Sequence, residues 1–294
     1  MRTTKVFCLL GVAAAIGCGA AAVPPASEVS AQTPVKTEPA PIKAPANPGT
    51  VPVAKAGDYV TIKGQIKWPG EAPKLMAVNV TADKATCCKD GDLMPTEILV
   101  DPKSKGLQNV VVWVRPDTED RKDVFPADKI HPDLMKPASK ALVIDQPRCQ
   151  FEPRVLVGRT GDTLEVKNPS TIPHNINYNS DVEAINPLIP AGGAVKLKNP
   201  LAAQTTPISF SCNIHPWMAG RMRVFDHPYY AITDKDGNFE IKNLPAGKWR
   251  LVYWHETGFH NGRAGILGTP IDAAKPEKGD TMELKAFEFQ PPKP

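Results

Sequence analysis

From Tyr59 onward the chain is written in short runs in which apolar and polar residues alternate, each run closed by Gly, Pro, Asn or Asp. Such period-two runs predict strands. The candidates are "YVTIKGQIKW", "TEILVD", "NVVVWVRP", "ALVID", "PRVLVG", "DTLEVKN", "HNINYN", "AVKLKN", "ISFSC", "GRMRVFD", "YYAITD", "NFEIKN" and "KWRLVYW". No helical period separates them, so the pattern predicts an all-β sandwich or barrel rather than a parallel α/β sheet. The one irregular stretch is "FPADKIHPDLMKPASK", with room for a single helical turn, and the chain has no internal repeat. The "DKDGN" turn between "YYAITD" and "NFEIKN" reads as a hairpin signal, and "LPAG" as a second tight turn.

The first 57 residues follow other rules. "MRTTKVFCLLGVAAAIGCGAAAV" has two basic residues and then an apolar run from Val6 to Gly17, which predicts an export signal over residues 1–18. The run is too short for a permanent membrane span. Its end, "AIGC", is similar to a bacterial lipobox, although Ala15 stands where Leu is usual. A lipid on Cys18 would tether the protein to a membrane surface, and this reading is favoured over simple cleavage near "VSAQ". Residues 19–57 are rich in Ala, Pro, Val and Lys without a hydrophobic period, so they predict an extended linker. The expected location is outside the cytoplasm, periplasmic or anchored. The chain has 294 residues, 32 prolines and a net charge of +4. That charge is too small, and too unclustered, to point to nucleic acid.

The candidate chemistry lies in "SFSCNIHPWMAGRMRVF", which places Cys212, His215 and Met218 within seven positions. Thiolate, imidazole and thioether are soft or borderline donors, a set that suits copper better than calcium or magnesium. A Cys-x2-His-x2-Met run alone is weak, because core cysteines and methionines are common. A fourth donor strengthens it: His174 follows a strand in "GDTLEVKNPSTIPHNINYN". Two imidazoles, one thiolate and a weak axial thioether make the ligand set of a mononuclear blue copper site.

On these residues the stretch from about 141 to 226 resembles the cupredoxins, especially the amicyanin and plastocyanin group. The resemblance rests on "FEPRVLVGRTGDTLEVKN", "PHN" and "CNIHPWMAGRMRVF". It implies a Greek-key β-sandwich holding one type 1 copper by His174, Cys212, His215 and Met218. It further implies that Asn175 ties the two ligand loops together, that Pro216 shapes the tight ligand loop, and that His215 is an exposed electron port. A dinuclear purple centre would need a second loop cysteine, and position 216 is Pro216.

The flanks resemble a second family. "DGNF" and "LPAGKWRL", with the earlier "TIKGQIKWPG" and "LQNVVVWVRP", are similar to transthyretin-like or carboxypeptidase-regulatory β-sandwich modules. The expected architecture is nested: a transthyretin-like sandwich split over 58–140 and 227–290, with the cupredoxin of 141–226 inserted in it or packed on it.

Six cysteines occur. Cys8 leaves with the leader, Cys18 is the lipid candidate and Cys212 the ligand. In an oxidising compartment, Cys87 or Cys88 could bridge to Cys149, leaving one thiol over, with Cys88–Cys149 the expected pair; a vicinal bridge would be strained. His227, His255 and His260 could form a second metal site, although strand-end histidines are more often surface or satisfied core residues. His131 reads as exposed. Trp217 either assists electron transfer or covers the ligand loop.

These readings predict an electron carrier, not an enzyme, working between redox protein partners. The alternative is a surface-anchored β-sandwich binding or scaffold protein with a structural or vestigial copper site. A multicopper oxidase would need more histidines than the six present.

Overall fold

The computed structural model describes residues 59–120, 124–137 and 139–292. The predicted leader, Cys18 and the linker of residues 19–57 lie outside them. The described chain is all-β, with one α-helical turn, Lys84–Cys87, and three short 3-10 turns. No helix among the described residues is long and apolar enough to cross a membrane.

The strands pair in two sets. In the flanking set, Tyr59–Lys67 runs antiparallel to Asn238–Pro245 and parallel to Thr281–Glu283 and Phe287–Glu288. A second flanking sheet orders Tyr230–Ile232, Val111–Pro116, Gly247–His255 and Gly258–Phe259, with Thr269–Ala273 also on Gly247–His255. In the middle set, Ala194–Lys196, Thr163–Lys167 and Ala141–Ile144 form one sheet. Val155–Arg159, Ala219–Phe225, Ile208–Ser211, Asn177–Asn179 and Ala184–Ile185 form another. A small ladder joins His174–Asn175 to Leu188–Ile189. Among the described residues, no ladder joins a strand of one set to a strand of the other.

Burial explains the run types. Tyr59–Lys67 alternates, with Val60, Ile62 and Ile66 turned into the flanking core beside Leu244 and Phe239. Val111–Pro116 is apolar on consecutive positions because both of its faces are covered. Val112 and Val114 enter the flanking core, while Val111 and Trp113 meet Val155 and Phe225 of the middle set, with Val252 and Trp254. The two sheets of the middle set share a core that includes Ile144, Leu164, Val166, Ile176, Tyr178, Phe210, Met222 and Val224.

Several local expectations are corrected. "TEILVD" forms only an isolated bridge, Val100 to Leu107. "YYAITD" and "NFEIKN" do not pair: Tyr230–Ile232 lies in one sheet and Asn238–Pro245 in the other. The turn between them is built as read, with Asp234 Oδ1 accepting from Asp236 N and Asn238 N. It carries the chain between layers, which a local turn signal cannot distinguish from a hairpin. His131 is half-buried, with its ring against Tyr59.

Candidate metal centre

The residues N-terminal to His174 are set by Asn168, which is fully buried. Its Nδ2 donates to the carbonyls of Ile172, Ile189 and Pro190, and its Oδ1 accepts from Ser170 N and Oγ. One amide side chain therefore ties the turn before His174 to the segment with which His174 pairs. On the other side, the 212–218 loop is folded by its own backbone: Cys212 N donates to Met218 O, and Met218 N to His215 O. The strands Ile208–Ser211 and Ala219–Phe225 hold its ends in register.

His174, Cys212 and His215 are thereby brought together, all buried, with one donor atom of each within 4.8 Å of the others. The Nδ1 atoms of His174 and His215 lie 2.9 Å apart, and Cys212 Sγ lies 3.9 Å from His215 Nδ1. Met218, also buried, packs in the same core. Asn175 bridges the two loops: its Oδ1 accepts from Asn213 N at 2.7 Å, and Cys212 Sγ lies 3.1 Å from it. Gln146, fully buried, donates from Nε2 to the Asn175 carbonyl. Pro216 is exposed on the turn.

The electrostatics keep one of the donors, His174, neutral. Burial first, and the adjacent His215 ring second, lower the His174 pKa to about 4, so its imidazole is uncharged at neutral pH. His215 Nε2 faces Asp83 Oδ2 at 2.9 Å. In the neutral ring, an Nε2–H donated to that carboxylate leaves the lone pair of His215 on Nδ1, the nitrogen that faces His174 and Cys212. Only one hydrogen fits between two ring nitrogens 2.9 Å apart. A metal ion taking its place suits two imidazole nitrogens and a sulfur, and the donor set fits a soft or borderline metal.

His215 is not an exposed port. It is fully buried. Asp83 sits on its Nε2, the Trp217 ring is 5.1 Å away, and the sulfurs of a Cys87–Cys149 disulfide lie beside it. Trp217 donates from Nε1 to the Cys149 carbonyl, so it covers the 212–218 loop. The disulfide uses Cys87 rather than Cys88. In the helical turn Lys84–Cys87, Cys87 points into the middle core, while Cys88 ends the turn, partly exposed and free.

The second metal site is not assembled. His227, His255 and His260 belong to no ligand cluster among the described residues. Each has local partners: His227 Nδ1 accepts from Tyr229 N, His255 Nδ1 contacts Thr257, and His260 Nδ1 accepts from Gln290 N. Asp83 is the residue that sequence reasoning missed. It stands 132 positions before His215, in a segment without strand pattern, and no local signal links them.

No protein-family model matches the chain, and no curated protein is similar to it. Among solved structures, it is similar to a methionine-to-glutamine mutant of amicyanin in its Cu(I) form, at 25% identity over 30% of this chain and 86% of that one, with a TM-score of 0.26. An oxidised proline-to-glycine mutant of amicyanin is 26% identical over 30% of this chain and 84% of that one, at the same TM-score of 0.26. A Cu-containing nitrite reductase from Thermus scotoductus SA-01 is 20% identical over 32% of this chain and 26% of that one, with a TM-score of 0.27.

Proposed function

We propose that the chain is an extracytoplasmic type 1 copper protein that carries single electrons between redox protein partners and turns over no substrate of its own. The observation that carries this reading is the buried meeting of His174 Nδ1, His215 Nδ1 and Cys212 Sγ across two loops tied by Asn175. His174, His215 and Cys212 would hold one copper, with Met218 as a fourth donor, and copper would supply one-electron chemistry there. The chain's own part is to keep the donors neutral or thiolate, exclude water and hold both loops fixed, so that few atoms move with the electron. Asn168, Asn175 and the 212–218 backbone bonds support that rigidity.

The same proposal includes the nested division, with 141–226 as a cupredoxin-like Greek-key sandwich and 58–140 plus 227–290 as the transthyretin-like one. The separation of ladders into two sets supports it. It also includes export and anchoring through Cys18, which fits a site that carries a disulfide beside it. Palmitate labelling lost in Cys18→Ser tests the anchor. The carrier role is tested by spectroelectrochemistry of the copper-loaded protein. A reversible one-electron couple without oxygen consumption is expected, and sustained oxygen reduction would contradict it.

A further inference from the structure

The segment around Asp83 comes from outside the stretch that supplies the ligands, yet it touches one of them. Asp83 begins the turn Lys84–Cys87 with a left-handed backbone, φ 50°, a conformation that Asp adopts more readily than most residues. Its carboxylate is 46% exposed on one side and meets His215 Nε2 on the other. The turn is pinned twice. Thr86 N and Cys87 N donate to the Asp83 carbonyl, and Cys87 is bonded to Cys149. Cys149 in turn accepts from Trp217, whose ring lies against His215. Asp83, the disulfide and Trp217 thus enclose the outer edge of a single imidazole.

We propose that Asp83 is a positioning residue for the metal centre: held over His215 by the Cys87–Cys149 disulfide, it accepts a hydrogen bond from His215 Nε2–H, fixes Nδ1 as the donor and closes that edge to solvent. This rests on the metal reading of the site. The physical basis is general. A carboxylate on the far nitrogen of a ligating histidine sets its tautomer and ring orientation and raises its donor strength. Here the carboxylate is delivered by a distant segment, and the disulfide supplies what a four-residue turn cannot hold by itself. The imidazole edge that a partner would otherwise touch is replaced by a cap carrying a carboxylate and an indole.

The test compares wild type with Asp83→Ala, Asp83→Glu and the double variant Cys87→Ala with Cys149→Ala. In metal-free protein, carbethoxylation of His215 is read by peptide mass spectrometry. In the same proteins, Cu(II) affinity is measured by competition with a chelator, and visible spectra are recorded. Asp83→Ala should raise His215 modification severalfold and weaken Cu(II) binding by roughly 10–100-fold while a thiolate band persists. Asp83→Glu should recover part of both effects. The double cysteine variant should move both readouts the same way, and Asp83→Ala repeats the test without touching the core should that variant fail to fold. If wild type gives a Cys212-dependent copper band but Asp83→Ala matches it in His215 reactivity and affinity, the proposal is wrong and the metal reading stands. If wild type takes up no Cu(II) through Cys212, the metal reading falls and the proposal with it, whatever the reactivity difference.

Discussion

His174 and His215, 41 residues apart in the chain, point their Nδ1 atoms at each other across 2.9 Å inside a buried pocket that also holds the Cys212 sulfur. Two imidazoles so close cannot both be charged, and both ring edges have been taken out of water. The two nitrogens share one hydrogen at that distance, and an ion in its place would be held only by the folded chain. Metal binding should therefore stabilise the fold, because an ion that binds only the native state adds to unfolding free energy by mass action. Thermal unfolding with and without Cu(II) should show a rise in midpoint that is absent in Cys212→Ser.

Asn175 is the hinge pin of the site. Its Oδ1 receives Asn213 N–H and meets Cys212 Sγ, and its Nδ2 donates to Asn186 Oδ1. Asn175→Ala leaves those partners without it in a partly buried place. A loss of about 1–3 kcal/mol is expected in metal-free protein, from groups left unpaired away from water. Urea unfolding measures it, and a cost near zero would mean that the two loops do not depend on this contact.

Arg154 ties the start of the last middle strand to the flanking set. Its guanidinium pairs with both oxygens of Glu256, contacts Glu97, and donates to the Ala219 carbonyl one residue after Met218. The Arg154–Glu256 pair is nearly out of solvent, at 9% and 7% side-chain exposure. Arg154→Ala strands Glu256, so a loss of roughly 3–5 kcal/mol is expected. Replacing both residues by apolar ones should cost much less than the single change, and a double-mutant cycle by chemical denaturation reads the difference.

Gly220 stands two residues after Met218, and a Cβ there would lie 2.2 Å from the Phe210 ring and 2.7 Å from the Arg154 carbonyl. The Arg154 carbonyl cannot swing away without losing the hydrogen bond it accepts from Arg221 N. Gly220→Ala should cost roughly 1–3 kcal/mol from overpacking and should broaden any copper signal by displacing Met218. An unperturbed melting curve would show that the strand can yield more easily than the packing implies.

The acid limb of stability should come partly from two histidines away from the centre. Burial, then the nearby Arg159, lowers His227 from 6.5 to about 3, and burial chiefly lowers His255 from 6.5 to about 4. Above pH 6.5 neither affects stability, since both states hold them neutral. Below it, the unfolded chain takes up protons that the folded chain refuses, and stability falls by up to about 1.4 kcal/mol per pH unit for each histidine until its folded pKa is reached. His227→Leu should flatten that limb between pH 6 and about 4 in denaturant midpoints. An unchanged slope would remove His227 from the account.

The strands and the meeting of Cys212 with His215 were legible because each is a local pattern: period-two runs such as Tyr59–Lys67, and the close spacing of Cys212 and His215 in one loop. His174 was legible as a histidine placed just after a strand. What surrounds them was not. Asp83 reaches His215 only through tertiary placement, and the choice of Cys87 over Cys88 depends on which face of one helical turn meets the core. The double-sided burial of Val111–Pro116 could be read as apolar, but its second partner, Phe225, lies more than a hundred residues away. The "DKDGN" turn shows the converse, since its chemistry was right while its strands join different sheets.

We propose that His174, Cys212 and His215, with Met218, close around one copper. The direct measurement is the visible and paramagnetic-resonance spectrum of the metal-free protein titrated with Cu(II), beside Cys212→Ser. One equivalent should give an intense thiolate-to-copper band and narrow hyperfine splitting, both lost in the variant. A colourless protein, or an ordinary tetragonal copper signal shared by wild type and Cys212→Ser, would contradict the account.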